Sequence, residues 1–253
     1  MEKKLTIPTA EPFFFPKGKI GCVLVHGFTG APKEMRMMGD YLNGNGITVI
    51  GIRLAGHATQ LSDMVRTRWR DWLASVEDGI NLLSDICDTI FVAGLSMGGI
   101  LALMAASRYE IDGVIAMSAP YTISNDWRAK FAKQISLFMP FVKKGQSDTA
   151  DQKTSKDHVD YPAYPTRSIA ELNELVETLH GTLDQIRIPV LLINSKSDKT
   201  VPPSHAENYH REILSNHVEL VTLENSGHVI TEDIDREIVF SASLNFIRKY
   251  SKQ

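Results

Sequence analysis

A serine stands between glycines in the run Gly94-Leu95-Ser96-Met97-Gly98-Gly99, and this run could supply a nucleophile. It follows an apolar, partly β-branched segment, residues 89–93, and precedes an apolar segment of helical character, residues 100–106. A sharp turn from strand to helix exposes a serine hydroxyl at its apex, and flanking glycines avoid collisions with the neighbouring strand and helix. We therefore predict that Ser96 is a nucleophile.

A serine hydroxyl needs a base to take its proton, and that base needs an orienting acid. His228 lies in a turn just after the last predicted strand, and Asp198 lies just after the strand before it. Because the carboxyl ends of parallel strands meet at one edge of a sheet, both side chains should approach Ser96 there. We predict His228 as the general base and Asp198 as the carboxylate that orients it.

Other acidic and imidazole side chains receive no catalytic role. Three carboxylates near His228 are rivals to Asp198, but they fit solvated turn or helix-start positions better: Glu224, Glu232 and Asp233. His26 and His57 fit the role of bracing loops. The five remaining histidines, His158 among them, lie on polar segments or helix surfaces.

Attack on an ester places negative charge on the carbonyl oxygen, which two aligned N–H groups would stabilise. The backbone N–H of Met97, directly after the nucleophile, is one expected donor. The other is expected from the loop at residues 26–30, where Gly27 and Gly30 permit a tight turn and Phe28 supplies the N–H. We also expect Phe28 and Gly27 to contact the substrate.

The elements that must position these residues follow from alternating patterns. Six short apolar runs predict strands, at residues 20–25, 47–52, 89–93, 113–117, 189–193 and 218–223. Most are continuously apolar, as strands covered on both faces are. Amphipathic helices alternate with them, for example over residues 68–84 and 232–249. The pattern predicts an α/β fold, with a mostly parallel central sheet and helices on both faces.

One long stretch departs from this alternation, because no strand is predicted between the fourth run and residue 184. Two amphipathic helices are expected instead, the second beginning at a capping box of Ser168 and Glu171. The apolar face of the first is formed by Trp127, Phe131, Ile135 and Phe138. We therefore predict a small helical cap over residues 120–183, inserted after the fourth strand. The core is then residues 1–119 and 184–253.

Composition excludes several classes of protein. With 253 residues, 43% hydrophobic content and a net charge of −3, the chain fits a globular protein with a sizeable core and no polyanionic partner such as nucleic acid. It contains no apolar run of membrane-spanning length, no metal-ligand motif and no phosphate-binding loop. Cys22 and Cys87 lie in or beside apolar runs and are expected to be buried thiols, which favours a cytoplasmic location.

The chain resembles the bacterial carboxylesterases and monoacylglycerol lipases of the α/β-hydrolase fold nearly from end to end. Six segments carry the resemblance: residues 11–15 (EPFFF), 26–30 (HGFTG), 53–57 (RLAGH), 71–77 (DWLASVE), 94–99 (GLSMGG) and 226–231 (SGHVIT). It implies a sheet of the eight-stranded type, shortened at its N-terminus, and the catalytic and oxyanion residues named above. It also implies hydrolysis of short- to medium-chain acyl esters or monoacylglycerols, without a cofactor.

Two departures from that family pattern bear on function. Ala58 stands where family members usually have a residue resembling glycine. Monoacylglycerol lipases of this type tend to hold the glycerol head with an acidic residue shortly before a Pro-Thr step. Here residues 161–164 precede Pro165-Thr166, and the nearest acid is Asp160. This difference favours a general carboxylesterase.

Two other functions remain open, because both would use the same machinery. An acyl-thioesterase would cleave a thioester with the same nucleophile, and a ligand-binding receptor could keep the fold with slow turnover. Haloalkane dehalogenation needs a carboxylate nucleophile, which a serine at position 96 disfavours. The expected partner is a small ester molecule, and the chain is expected to be a monomer or a homodimer.

Overall fold

Seven strands form one sheet in the computed structural model, which describes residues 5–123, 132–145, 148, 150 and 158–252. The strands are β1 (Phe13–Phe15), β2 (Ile20–Val25), β3 (Thr48–Ile52), β4 (Thr89–Leu95), β5 (Gly113–Met117), β8 (Val190–Ser195) and β9 (Val218–Leu223). Their order is β1-β3-β2-β4-β5-β8-β9, and all neighbours are parallel except β1 and β3. All six predicted strands are present, and the predicted fold class is confirmed.

Helices cover both faces of this sheet. They are α1 (Arg36–Gly44), α2 (Leu61–Arg66), α3 (Trp69–Ser84), α4 (Met97–Ala106), α5 (Ala132–Ile135), α6 (Thr166–His180), α7 (Ser204–Glu212) and α8 (Arg236–Tyr250), with short 3₁₀ turns at Pro32–Met35 and Leu183–Gln185. One apolar core lies between the sheet and helices α3, α4 and α6, and a second lies between the sheet and helices α1 and α8.

The strands in the middle of the sheet are apolar because both of their faces are covered. Every residue of β4 is buried, and α4, which follows it, is buried along nearly its whole length. The predicted face of α3 packs inward, with Trp69, Trp72 and Val76 inaccessible to solvent. Burial of each such large side chain contributes about 1.5–3 kcal/mol to the stability of the fold. This packing supports the helix and strand that flank the turn between β4 and α4.

Strand β1 was not among the predicted strands. It is only three residues long and lies between Pro12 and Pro16, which mask a strand pattern in sequence. It pairs antiparallel with β3 at the edge of the sheet, where a neighbouring proline removes no hydrogen bond that another strand needs.

The prediction that no strand lies between the fourth run and residue 184 is wrong. Strands β6 (Phe141–Lys143) and β7 (Ala163–Pro165) form a separate antiparallel pair. Each has three residues, and all of β6 is exposed, so neither strand shows the apolar run that would reveal it.

The helices of this stretch also differ from expectation. Trp127 and Phe131 lie outside the described residues, and Phe138 is 91% exposed. Helix α6 begins at Thr166, and no side chain caps it. The Ser168 hydroxyl instead donates to the carbonyl of Met64 at 3.2 Å, so the predicted capping box is wrong. The division into core and cap stays a prediction.

The last helix begins at Arg236, later than predicted, because the carboxylates before it are engaged in the turn that contains His228. Ile238, expected on its buried face, is 51% exposed, whereas Val239, Phe246 and Ile247 are buried as predicted. Cys22 and Cys87 are unpaired and buried, also as predicted.

Candidate active site

Ser96 occupies the turn between β4 and α4 with an unusual backbone, at φ 55° and ψ −119°. Its N–H donates to the carbonyl of Met117 at 2.8 Å, which ties the turn to the next strand. The glycines are required by close approach. A Cβ on Gly94 would lie 2.0 Å from the carbonyl oxygen of Gly98, and one on Gly98 would lie 2.2 Å from that of Val25. The turn therefore excludes side chains and holds the hydroxyl outward.

His228 connects Ser96 to Asp198 through its two ring nitrogens. Its Nε2 atom lies 2.9 Å from the Ser96 hydroxyl oxygen, and its Nδ1 atom lies 2.9 Å from one carboxylate oxygen of Asp198. The carboxylate can only accept, so Nδ1 carries the proton and Nε2 is free to accept the serine proton. The other Asp198 oxygen accepts the backbone N–H groups of Thr200 at 2.8 Å and Val201 at 2.7 Å.

The turn that carries His228 is fastened by hydrogen bonds. The N–H of His228 donates to the carbonyl of Asp148 at 2.9 Å, and the N–H of Gly227 donates to the Asp233 carboxylate at 2.7 Å. Asp233 and Glu232 are both buried, so the expectation that they are solvated is wrong. They are enclosed because the turn folds around them.

The expected oxyanion donors belong to Met97, which directly follows the serine, and to Phe28, which lines the same cavity as the serine. Met97 is the first residue of α4, so its N–H has no acceptor within the helix. Across the described residues, neither this N–H nor that of Phe28 donates a hydrogen bond to the protein. Gly27 lies against the serine, since a Cβ there would be 3.5 Å from the Cβ of Ser96.

His26 braces the loop at residues 26–30, as predicted. One ring nitrogen accepts the N–H of Leu54 at 3.2 Å, and the other lies 2.9 Å from the carbonyl oxygen of Gly27. Burial lowers the pKa of His26 to about 4, so the ring is neutral and suited to this paired donor and acceptor role. His57 is also buried, with its ring 5.1 Å from that of His26, and burial lowers its pKa well below the ordinary value.

A cavity of about 630 Å³ adjoins Ser96 and His228. Its apolar wall is formed by Phe28, Leu95, Ile123, Ile169, Leu172 and Val201. The Phe28 ring stacks on that of Tyr164 at 5.7 Å, and the Lys144 ammonium lies 4.8 Å from the centre of the Tyr164 ring. Lys144 also forms an ion pair with Asp160, the acid closest to the Pro-Thr step.

A second group of ionisable side chains, Glu34, His158 and Glu232, lies beside the cavity, which Glu34 and His158 line, and we call it the carboxylate–imidazole cluster. Nδ1 of His158 lies 2.9 Å from a Glu232 oxygen, and Nε2 lies 3.6 Å from a Glu34 oxygen. The other Glu34 oxygen accepts the N–H of Gly27 at 2.7 Å. Asp160 faces the same group.

Burial and charge perturb this cluster strongly. Burial raises the pKa of Glu34 to about 7, although the neighbouring His158 charge and the Gly27 N–H oppose the shift. Burial alone would lower the pKa of His158, but the hydrogen bond to Glu232 and the surrounding carboxylates outweigh it and raise the pKa to about 9. His158 is therefore cationic at neutral pH. Across the described ranges, no group of acidic, histidine or cysteine residues is arranged to hold a metal ion.

Neither this cluster nor Asp148 is indicated by the sequence patterns. Glu34 follows the glycine loop by four residues, and that short spacing is the one local signal that could have indicated a contact. No comparable signal exists for His158 or Asp148, whose contacts join distant parts of the chain.

The arrangement of Ser96, His228 and Asp198 can activate a hydroxyl for attack on a carbonyl carbon. The hydroxyl faces a cavity, and its proton acceptor is at hydrogen-bond distance. Such a site suits acyl transfer.

Known proteins resemble this chain over nearly its full length. A family model, Hydrolase_4, described as serine aminopeptidase, S33, matches residues 16–235. A thermostable monoacylglycerol lipase from Bacillus sp. (strain H-257) is 37% identical, over 96% of each chain. A carboxylesterase from Bacillus subtilis (strain 168) is 28% identical, over 97% of this chain and 99% of the relative.

Solved structures share the architecture as well. One from work on LipS and LipT, two metagenome-derived lipolytic enzymes, superposes with a TM-score of 0.91 at 32% identity, covering 96% of this chain and 99% of that one. Among the residues described for the present chain, no helix has the length and apolar character needed to cross a membrane.

Proposed function

The chain belongs to the Hydrolase_4 family, within the carboxylesterase and monoacylglycerol lipase group of the α/β hydrolases, and we propose that this serine hydrolase cleaves short- to medium-chain acyl esters, monoacylglycerols included, through an acyl-enzyme on Ser96. The observation that carries the proposal is the hydrogen-bonded chain from Ser96 through His228 to Asp198, with 2.9 Å at each step, at the wall of the cavity.

The proposed reaction has two acyl-transfer steps. The Ser96 oxygen bonds to the carbonyl carbon while its proton passes to Nε2 of His228, and the carbonyl oxygen becomes an oxyanion. Asp198 stabilises the imidazolium, and the N–H groups of Phe28 and Met97 stabilise the oxyanion. The alcohol leaves with the proton from His228. Water then attacks the acyl-enzyme by the same route and releases the acid and free Ser96.

The cavity supports the choice of substrate class. Its volume, about 630 Å³, lies within the range of sites for small organic ligands. The apolar wall suits an acyl chain, with Phe28 and Gly27 beside the reacting carbon, whereas the charged end around Asp160 and Lys144 suits a polar alcohol group. The nearest acid to the Pro-Thr step is held by Lys144, which favours broad use of esters over strict use of monoacylglycerols.

Replacing the nucleophile tests the proposal directly. We expect Ser96→Ala to reduce hydrolysis of p-nitrophenyl butyrate by about 10⁴-fold or more, because the acyl-enzyme cannot form. Circular dichroism and thermal unfolding should match those of the native protein. Substantial remaining activity in a folded variant would contradict the assignment of Ser96.

A substrate panel tests the proposed class. We expect esters from butyrate to octanoate, and monoacylglycerols, to be turned over faster than the matching acyl thioester. Faster thioester turnover would favour a thioesterase. Tight ligand stabilisation with negligible steady-state hydrolysis would favour a receptor.

The proposal places the protein in the cytoplasm as a monomer or homodimer, with residues 120–183 acting as a cap over the core of residues 1–119 and 184–253. Two unpaired cysteines support a reducing compartment. Several cavity-lining residues of the 120–183 segment, among them Tyr164, support the role of a cap. Light scattering in solution would measure the assembly.

A further inference from the structure

We propose that Glu34 is a positioning residue that sets the oxyanion hole, by holding the N–H of Gly27 from inside the loop that carries Phe28. This inference rests on the proposed function, because it assigns Glu34 a part in stabilising the oxyanion formed during attack by Ser96. Glu34 itself touches no reacting atom in this scheme.

The loop is built around the Glu34 carboxylate. The side chain is buried, and one of its oxygens accepts the N–H of Gly27 at 2.7 Å. A Cβ on Gly30 would lie 1.9 Å from the other oxygen, so only glycine allows the carboxylate to enter. The N–H of Gly30 closes the turn by donating to the carbonyl of Gly27 at 3.2 Å. Both ends of the loop are therefore fixed with respect to one carboxylate.

The N–H of Gly27, which donates to Glu34, is one residue before the N–H of Phe28, the proposed oxyanion donor. The carbonyl of Gly27 forms a peptide with the N–H of Phe28, so restraining Gly27 restrains the direction of that N–H. The ring of His26 holds the carbonyl side of the same residue at 2.9 Å. Oxyanion stabilisation depends on hydrogen-bond donors that are already oriented before the negative charge develops. A bond to a carboxylate is stronger than a bond between neutral groups, which suits this role.

The rest of the carboxylate–imidazole cluster keeps Glu34 in place. His158 lies 3.6 Å from Glu34 and is itself held at 2.9 Å by Glu232. Glu232 is four residues after His228 in sequence, so the cluster joins the loop of the oxyanion donor to the turn of the base. Burying a carboxylate is costly, and pairing with His158 together with the hydrogen bond from Gly27 offsets part of that cost.

Two substitutions of Glu34, assayed at pH 8, test the proposal. Glu34→Leu removes the acceptor at similar size, and Glu34→Gln keeps an oxygen acceptor without charge. We expect kcat to fall by about 10- to 100-fold in Glu34→Leu, less than the loss from removing an oxyanion donor outright, with KM within about twofold. For Glu34→Gln we expect a smaller loss, about three- to fivefold, since a neutral acceptor binds more weakly.

A trifluoromethyl ketone provides a readout that a purely structural role would not change. It forms a hemiketal oxyanion with the serine, so its affinity should fall by the same factor as kcat in each variant. The affinity for an unreactive ether analogue of the substrate should stay constant. Glu224→Gln, at an exposed carboxylate paired with Lys196, is the matched control and should behave as the native protein does.

The outcomes separate the two proposals. If Ser96→Ala stays active, the proposed function itself fails. If Ser96→Ala is inactive but Glu34→Gln keeps native kcat and ketone affinity, the positioning role is wrong, whether or not Glu34→Leu folds. Parallel losses of kcat and ketone affinity, partly restored from leucine to glutamine, support it.

Discussion

Two imidazoles adjoin the same cavity, and each has a carboxylate oxygen 2.9 Å from its Nδ1 atom. For His228 the carboxylate is Asp198, and Nε2 faces a serine hydroxyl. For His158 the carboxylate is Glu232, and Nε2 faces a second carboxylate, that of Glu34. One ring can accept a proton from a neutral donor, whereas the other keeps its own proton between two acids. The same pair of residue types thus faces a hydroxyl in one place and a second acidic side chain in the other.

The difference shows that the group facing Nε2 decides what each imidazole can do. A hydroxyl presents a proton that an imidazole can take, whereas an ionised carboxylate, as Glu34 is above its pKa of about 7, presents only acceptors. His158 therefore acts as a fixed cation, with a pKa raised to about 9 against the effect of burial. His228 instead faces the Ser96 hydroxyl at 2.9 Å.

The largest expected contrast comes from removing each Nδ1 partner by an isosteric change. We expect Asp198→Asn to lower kcat by about 10⁴-fold, because the amide favours the wrong histidine tautomer. We expect Glu232→Gln to leave kcat within about threefold while lowering the free energy of unfolding by about 1–3 kcal/mol, the usual cost of breaking a buried charged hydrogen bond. Ester kinetics and urea denaturation of both variants measure these effects. Similar losses of kcat in the two variants would contradict the comparison.

The dependence of the free energy of unfolding on pH should reveal the protonation of His158. The pKa of His158 in the fold, about 9, is above its ordinary value of 6.5. Its protonation therefore stabilises the fold fully below pH 6.5, and this contribution is lost as the pH rises through 9. Conversion of the shift gives on the order of 3 kcal/mol.

Urea denaturation at pH 6.5 and pH 10 would measure this loss in the native protein and in His158→Gln. We expect the variant to lose less stability than the native protein over that interval. Glu34, Glu232 and Asp160 face the ring, so a histidine chemical-shift titration should accompany the measurement. A titration midpoint near 6.5 for His158 would contradict its role as a fixed cation.

The smallest effect concerns the loop that joins the two regions. A Cβ at position 30 would overlap the Glu34 carboxylate, so we expect Gly30→Ala to cost about 1–3 kcal/mol of stability through overpacking. We also expect kcat to fall by about tenfold, because a displaced loop misdirects the Phe28 N–H.

Gly44→Ala is the control for the loop, because a Cβ there meets no other atom within 4 Å. The midpoint of thermal unfolding and the kcat of this variant should equal or exceed those of the native protein. Native kcat in a folded Gly30→Ala variant would show that the loop does not transmit the position of Glu34.

Local sequence patterns predicted the strands of the central sheet. They also predicted that the side chains of Ser96, Asp198 and His228 converge. Most of the six strands are continuously apolar, and the chain order of a parallel sheet brings its carboxyl ends to one edge. The turn at Ser96 was predictable because its glycines are needed by backbone contacts within a few residues or with the adjacent strand. The roles assigned to these side chains stay predictions.

The carboxylate–imidazole cluster was not predictable, because its members are polar and far apart in sequence. His158 and Glu232 are 74 positions apart, and each lies in a segment that looks solvated by composition. Their burial follows from how the segment after residue 157 packs on the loop at residues 26–30, where the N–H of Tyr161 donates to the carbonyl of Thr29 at 3.0 Å. A single sequence contains no pattern for such contacts.

The backbone conformation of Ser96 carries an energetic cost. At φ 55°, a residue with a side chain is held where glycine is at ease, and such a conformation costs about 1–3 kcal/mol. Glycine at this position would relax the turn and remove the hydroxyl in one change. On the proposed role of Ser96, stability and turnover therefore place opposite demands on this position.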